Sequence, residues 1–353
     1  MGQNLANLRG MTEGTLALVT GATGWLGSHL ASELAAMGWR VRATGRGARP
    51  DSLGPDIDFR RADLVEDHLG SLFEGVSHLF HLAGASSTRF SVEEMSLINA
   101  VGTERVARCA ADGGVQRMLH MSTTAVYGEK TALPSPVIET VPLSPSRDYG
   151  KTKVAAENAA RKVSAETGLE LVILRPVSVY GPGNTKLVAS AMLDVALEKA
   201  AGAQALMVGS SFEDLRLVHL DDVVGACIHL ARTEGIAGRA FNITSGIYPT
   251  SLELAKAIAG AFGMAVEVGG DWEGPLSYTQ REAMVERLKV EYPGSANMVF
   301  TPERLRFLRR PNVNNVLSIE ALTECGFRPT HTDLGETISD TLDWYVKAGW
   351  LPN

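Results

Sequence analysis

Apolar residues along this chain fall into two alternating registers. Short continuous runs recur near residues 16–20, 40–44, 57–62, 78–82, 116–121 and 169–174, as in strands buried on both faces. Between most of them the apolar positions spread to a helical period, notably over 26–37, 93–112 and 148–167, which predicts helices with one buried stripe. This alternation predicts an α/β fold built on a doubly wound parallel sheet. Residues 15–180 form that domain, and residues 1–14 read as a flexible extension. Pro134, Pro136, Pro142 and Pro145 predict an irregular loop before the helix at 148. Beyond Gly181-Pro182-Gly183 the pattern is mixed, so 181–353 is expected to form a smaller, discontinuous C-terminal domain. Its first helix is expected at 184–200. Segments near 215–245 are expected to return to the main sheet, with Asp221 as a helix N-cap and Ala240-Phe241-Asn242-Ile243-Thr244 as the last strand.

Composition mostly excludes. The net charge of −7 argues against general nucleic-acid binding. The basic run from Arg304 to Arg310 reads as a solvated face, and residues 271–310, with Trp272, Tyr278, Arg281 and Arg287, as a pocket-shaping stretch or lid. No segment reaches the roughly 18 apolar residues of a membrane span, so a cytoplasmic protein is expected. Cys109, Cys227 and Cys325 are widely separated and read as buried, unbridged thiols. His78, His81, His120, His219 and His229 lack metal-ligand spacing and read as satisfied histidines, so no metal is expected.

Two local patterns carry chemistry. The run Leu16–Thr20 leads into Gly21-Ala22-Thr23-Gly24-Trp25-Leu26-Gly27 and then a helix. Glycines there let the chain turn tightly, let backbone approach a pyrophosphate, and face a helix N-terminus toward phosphate charge. Far downstream, Tyr149 and Lys153 stand at i and i+4, one turn apart on a helix face. An ammonium beside a phenol lowers the phenol pKa from about 10 and makes it usable for proton transfer near neutrality.

These patterns lie among others: Asp63-Leu64, His81-Leu82-Ala83-Gly84, Asn99 with Gly102-Thr103, Ser122-Thr123-Thr124-Ala125-Val126-Tyr127-Gly128, and Arg175-Pro176. Together they resemble the extended short-chain dehydrogenase/reductase family, which includes NAD-dependent epimerases, dehydratases and 3β-hydroxysteroid dehydrogenase-like enzymes. The resemblance implies a Rossmann-type sheet and a homodimer. It implies that Thr123 bonds the substrate oxygen, that Tyr149 exchanges a proton with it, and that Lys153 assists Tyr149 and holds the nicotinamide ribose. Asn99 would sit near the site, as a catalytic group or as a helix-positioning one. Gly21, Thr23, Gly24, Trp25, Leu26 and Gly27 would hold the pyrophosphate, and Asp63 and Leu64 the adenine. Leu82, Ala83, Gly84 and Pro176 would also border the cofactor.

The end of the second strand bears on cofactor choice. An NAD site presents Asp or Glu there, whereas Val41–Pro50 holds no carboxylate and offers Arg46 and Arg49. Guanidinium groups suit a 2′-phosphate, so NADP(H) is expected over NAD. Dehydratases of the family place an Asp-Glu pair after the catalytic hydroxyl residue; Thr124 and Ala125 stand there instead, which removes dehydration. The sequence thus favours an NADPH-dependent ketoreductase acting on a small-molecule ketone or alcohol. An NAD-holding sugar-nucleotide 4-epimerase is the alternative, and a non-catalytic nucleotide sensor comes third.

Overall fold

The computed structural model describes residues 15–86, 90–128, 133–210, 212–269, 273–309 and 315–352. The expected extension at 1–14 and Trp272 lie outside them. The chain divides into two compact units. The first comprises the described residues within Met1–Val177, with Val223–Ile243 and Leu317–Thr330. The second comprises those within Ser178–Asp222, Thr244–Val316 and His331–Asn353.

The strands in chain order are β1 (Leu16–Thr20), β2 (Arg40–Gly45), β3 (Asp58–Arg61), β4 (His78–His81), β5 (Arg117–Met121), β6 (Glu170–Pro176), β7 (Ser178–Tyr180), β8 (Ala205–Val208), β9 (Leu217–His219), β10 (Ala240–Ile243) and β11 (Ala265–Val268). Seven of them form the sheet of the first unit, in the order β3-β2-β1-β4-β5-β6-β10, and every pairing is parallel. The chain leaves β1 to pair on one side with β2 and then on the other with β4. That reversal opens a crevice at the strands' carboxyl ends, the usual place for a nucleotide. Leu18, Leu79, Met118 and Ile173, from four neighbouring strands, pack with Val106, Ala110, Ala160 and Val163 from two helices. Burying each large aliphatic side chain contributes about 1.5–3 kcal/mol.

The second unit centres on the helix Val188–Ala200, buried from Val188 through Glu198, and on two-stranded parallel pairs β7-β9 and β8-β11. Here several expectations need correction. Of the 215–245 segment, only β10 joins the main sheet, and β9 pairs with β7 instead. The helix expected from 184 starts at Val188, because the Asn184 carboxamide takes the Lys186 N–H at 2.7 Å and shapes a turn first. Asp221 lies inside the first turn of the helix Leu220–Arg232 rather than capping it, and its N–H goes to His219 Nδ1 at 3.3 Å.

The basic run is not one solvated face either. Arg304 is buried and paired with Glu198, four residues from Asp194, which holds the buried Arg281 at 2.5 Å. Two acids one turn apart on a buried helix thus take two arginines out of water.

Candidate active site

The glycine turn is enforced by contact. Gly21 has φ +74°, and a Cβ there would lie 2.7 Å from the Ala83 backbone nitrogen. A Cβ at Gly27 would collide with the Gly21 carbonyl. The turn therefore lies directly against the loop after β4 and against the first helix, Trp25–Ala36. A cavity of about 230 Å³ opens here, lined by Gly21, Thr23, Gly24, Arg46, Asp63, Leu64, Leu82, Ala83 and Gly84 among the residues expected to hold a dinucleotide. Thr44, Gly45, Ala62, Val65 and Ile98 complete it. The sequence reading missed these five, although Thr44 and Gly45 end a strand whose neighbours it had named.

The same cavity separates the two arginines. Arg46 lines it, with Nη1 4.0 Å from Asp63 Oδ2. Arg49, expected as a second phosphate partner, donates instead to the carbonyls of Ile57 at 2.8 Å, Leu53 at 3.0 Å and Gly54 at 2.5 Å. It is a loop brace. Asp63 also spends part of its carboxylate locally, with Oδ1 accepting from Val65 N–H at 2.8 Å. Trp25, Leu26, Gly27 and Pro176 do not line the cavity.

The residues expected to carry chemistry come together from the end of β5 and the helix Asp148–Thr167. Thr123 follows β5 with extended backbone, and its hydroxyl oxygen accepts from Ala125 N–H at 3.2 Å, capping a short helical turn. The same hydroxyl is hydrogen-bonded to the Tyr149 phenol. Its two neighbours face elsewhere. Ser122 donates to Glu157 at 2.5 Å and Thr124 to the Pro176 carbonyl at 3.4 Å. Lys153 is buried, and its Nζ donates to the Met121 carbonyl at 2.6 Å. That ammonium would stand 4.0 Å from a Cβ at Gly84, so it borders the loop after β4. Neither Tyr149 nor Lys153 lines the cavity.

The electrostatics differ from the expectation raised by the i, i+4 spacing. Protein atoms surround the Tyr149 hydroxyl, although the residue keeps partial solvent access, and burial pushes the phenol up to about 12. The Thr123 hydrogen bond opposes that rise. Burial brings Lys153 down to about 8, with the Glu157 carboxylate opposing. Desolvation, not the neighbouring amine, sets the tyrosine.

The Asn99 carboxamide is fully engaged by the protein. It sits in a π-helical turn, Leu97–Val101. Its Oδ1 accepts from Ala85 N–H at 2.7 Å, and its Nδ2 donates to the Ala85 carbonyl at 3.0 Å and to Thr152 Oγ1 at 2.9 Å. The carboxamide thereby ties the loop after β4 to the Tyr149 helix, and both its amide protons are committed.

Glu157 and Arg175 are site features whose roles the sequence reading did not assign. The Glu157 carboxylate accepts from Arg175 Nε at 3.0 Å and Nη2 at 2.7 Å, and both residues are buried. The signal was a third member, at 157, of the series Tyr149, Lys153.

Among the histidines, His81 is satisfied, by Thr20 at 2.8 Å and Thr103 at 2.9 Å, and burial with Lys153 nearby brings it down to about 3. His120 stacks on it at 5.4 Å, but neither of its ring nitrogens has a hydrogen-bond partner among the described residues. One trio with ligand-type atoms, His219, Asp221 and His331, falls within 4.8 Å in the second unit. It reads as an ion-pair network: Asp222 accepts from His331 Nδ1 at 3.1 Å and from its backbone N–H at 3.2 Å, which raises the imidazole pKa. Cys227 is buried, Cys109 and Cys325 are half-buried, and all three are free thiols. No helix among the described residues is long and apolar enough to cross a membrane.

With this geometry in place, the comparisons define the class. Residues 17–244 match the NAD dependent epimerase/dehydratase family, and the chain belongs to that family. It is an NAD(P)-dependent enzyme of oxidoreductase type, with the extended short-chain dehydrogenase/reductase architecture. It is 29% identical to the UDP-glucose 4-epimerase of Mycolicibacterium smegmatis over 93% of this chain and 97% of that protein. A 4-hydroxy-2-methyl-3-oxo-4-farnesyl-3,4-dihydroquinoline-1-oxide ketoreductase of Stigmatella aurantiaca is 32% identical over 47% of this chain and 51% of that one. The structure of the UDP-glucuronic acid 4-epimerase from Bacillus cereus in complex with NAD superimposes with a TM-score of 0.69, at 19% identity, over 94% of this chain and 99% of that one.

Proposed function

We propose that the protein is a sugar-nucleotide 4-epimerase, a reading that reverses the preference drawn from sequence. The observation that carries it is the near end-to-end relationship to a UDP-glucose 4-epimerase, joined to a Thr123–Tyr149–Lys153 arrangement without an acid pair beside Thr123. The cradle at Gly21, which a Cβ would fill, fits a dinucleotide pyrophosphate. A bound nicotinamide supplies the hydride acceptor and donor. The chain supplies the rest: Tyr149 takes the proton of the C4 hydroxyl and later returns it. Thr123 bonds the same oxygen, and Lys153 holds positive charge beside the loop after β4.

A second reading, the NADPH-dependent ketoreductase, draws on one feature. Gly45 stands where an NAD site would carry a carboxylate, and Arg46 beside it lines the cavity.

The experiment separates the two. Purified protein is denatured, the released nucleotide is quantified, and UDP-glucose/UDP-galactose interconversion is measured without added cofactor. Stoichiometric NAD with interconversion is the expected result. Nucleotide-free protein that oxidises NADPH with ketones, and leaves UDP-hexoses unchanged, overturns it in favour of the second reading.

A further inference from the structure

Helix positions 149, 153 and 157 stand one turn apart on one face. Each grips one of three consecutive residues at the end of β5. Tyr149 takes the Thr123 hydroxyl, Lys153 Nζ takes the Met121 carbonyl at 2.6 Å, and Glu157 Oε1 takes the Ser122 hydroxyl at 2.5 Å. Two of these residues belong to the chemistry. The third, Glu157, is assigned no part in the reaction, yet it is fully buried.

Its surroundings show what that carboxylate does. Arg175 pairs with it through Nε and Nη2, and in turn donates to the Tyr127 hydroxyl at 2.9 Å and the Glu139 carbonyl at 3.0 Å. Arg175 is thus braced from three sides and stays charged. Lys153 is the less secure cation: among the described residues its hydrogen bond is to a neutral carbonyl, burial works against its charge, and Glu157 is the group that supports it. One buried negative charge therefore serves two buried cations.

We propose that Glu157 is a positioning residue of the reaction, which shares its charge between Arg175 and Lys153 to keep the lysine cationic and anchors Ser122 so that Thr123 meets Tyr149. The proposal rests on reading Tyr149 and Lys153 as the chemical pair, and not on which substrate they serve.

The two partners of Glu157 give the test opposite signs. Glu157→Gln keeps the size and the acceptor for Ser122 but removes the charge, so Lys153 loses its support. Arg175→Gln removes the competing cation, so the carboxylate acts on Lys153 alone. The protein is prepared with 13C-labelled lysine, and the Lys153 Cε resonance, assigned by its loss in Lys153→Met, is followed from about pH 6 to 11. Its midpoint should fall by about one pH unit or more in Glu157→Gln and rise in Arg175→Gln. A purely structural brace would move both midpoints the same way or neither, and either outcome overturns the proposal. Should one variant not fold, the other decides alone by the sign of its shift. No substrate enters the measurement, so a failed epimerase assay leaves the sign of these shifts untouched.

Discussion

Replacing Lys153 with methionine should change how stability depends on pH, and the size of the change follows from burial. The ammonium is wholly enclosed, and its pKa falls from 10.5 to about 8. A lowered lysine pKa means that the unfolded chain holds the proton more tightly than the folded one. Between about pH 8 and 10.5 the unfolded state therefore binds more protons, and stability rises with pH. The distance between those two values, at ~1.4 kcal/mol per pH unit, is worth roughly 3 kcal/mol. Below pH 8 the same quantity is a constant penalty on the folded state. Methionine fills similar space without charge and erases that penalty. It also leaves the Met121 carbonyl without its donor, which costs about 1–3 kcal/mol. The variant should match or exceed the parent at pH 7 and fall below it near pH 10.5. Urea midpoints measured across that range, for both chains side by side, give the answer. The raised phenols Tyr127, Tyr149 and Tyr180 pull stability down above pH 10, but both chains contain them and their effect cancels in the difference. Parallel curves that never cross would show that Lys153 carries no burial penalty.

The remaining expectations concern nucleotide, proton and fold separately. Gly21→Ala places a methyl group 2.7 Å from the Ala83 nitrogen at a positive φ, and should weaken dinucleotide binding at least ~10-fold by fluorescence titration. In nucleotide-free protein, Arg46→Ala should lower NADPH affinity about 10-fold while sparing NADH, and Arg49→Ala should lower thermal stability without changing that ratio. Tyr149→Phe should reduce turnover by ~10²-fold or more with dinucleotide affinity retained. His331→Gln should remove an acid-side stabilisation. Asp222 raises the His331 pKa above 6.5, so the parent's advantage is fullest below pH ~6.5 and vanishes as pH rises through the folded value. Melting temperatures of parent and variant between pH 5.5 and 8.5 should then converge at the alkaline end.

Most of the first unit could be read from the chain because its signals are local. β1 and the Tyr149 helix fall on the expected residues, Leu16–Thr20 and Asp148–Thr167, since apolar runs and helical periods report burial directly. What was lost depends on long-range pairing. Arg49 has the same charge as Arg46, and only the fold shows that loop carbonyls at 53–57 claim it. Arg304 sits in a basic run that looks solvated, yet Glu198, 106 residues earlier, draws it into the interior. β9 resembles a returning strand by composition, but its partner is β7. Of the residues expected to hold the cofactor, the cavity is lined by Gly21, Thr23 and Gly24 of the glycine turn, by Arg46, and by those that follow β3 and β4. The same cavity is also lined by Thr44, Gly45 and Ile98, which the sequence did not single out because their side chains carry no chemical signature.

The largest departure concerns the pair that gave the chain its chemical reading. Spacing placed an amine one turn from a phenol, and Coulomb attraction alone would then favour the phenolate. Burial acts on both groups toward their neutral forms, however, and the ammonium directs its proton to the Met121 carbonyl. With a pKa of about 12 the Tyr149 phenol is a ready donor to a developing alkoxide. As a base at pH 7 it is unfavourable by roughly 7 kcal/mol, at ~1.4 kcal/mol for each pH unit. An enzyme that only reduces a ketone needs only the donor. An epimerase must also remove the proton of an alcohol at the same tyrosine, and an oxidised nicotinamide, when bound, would supply positive charge that favours the phenolate. On the epimerase reading the Tyr149 base therefore works against its own burial, whereas on the ketoreductase reading the same burial suits its role as a proton donor.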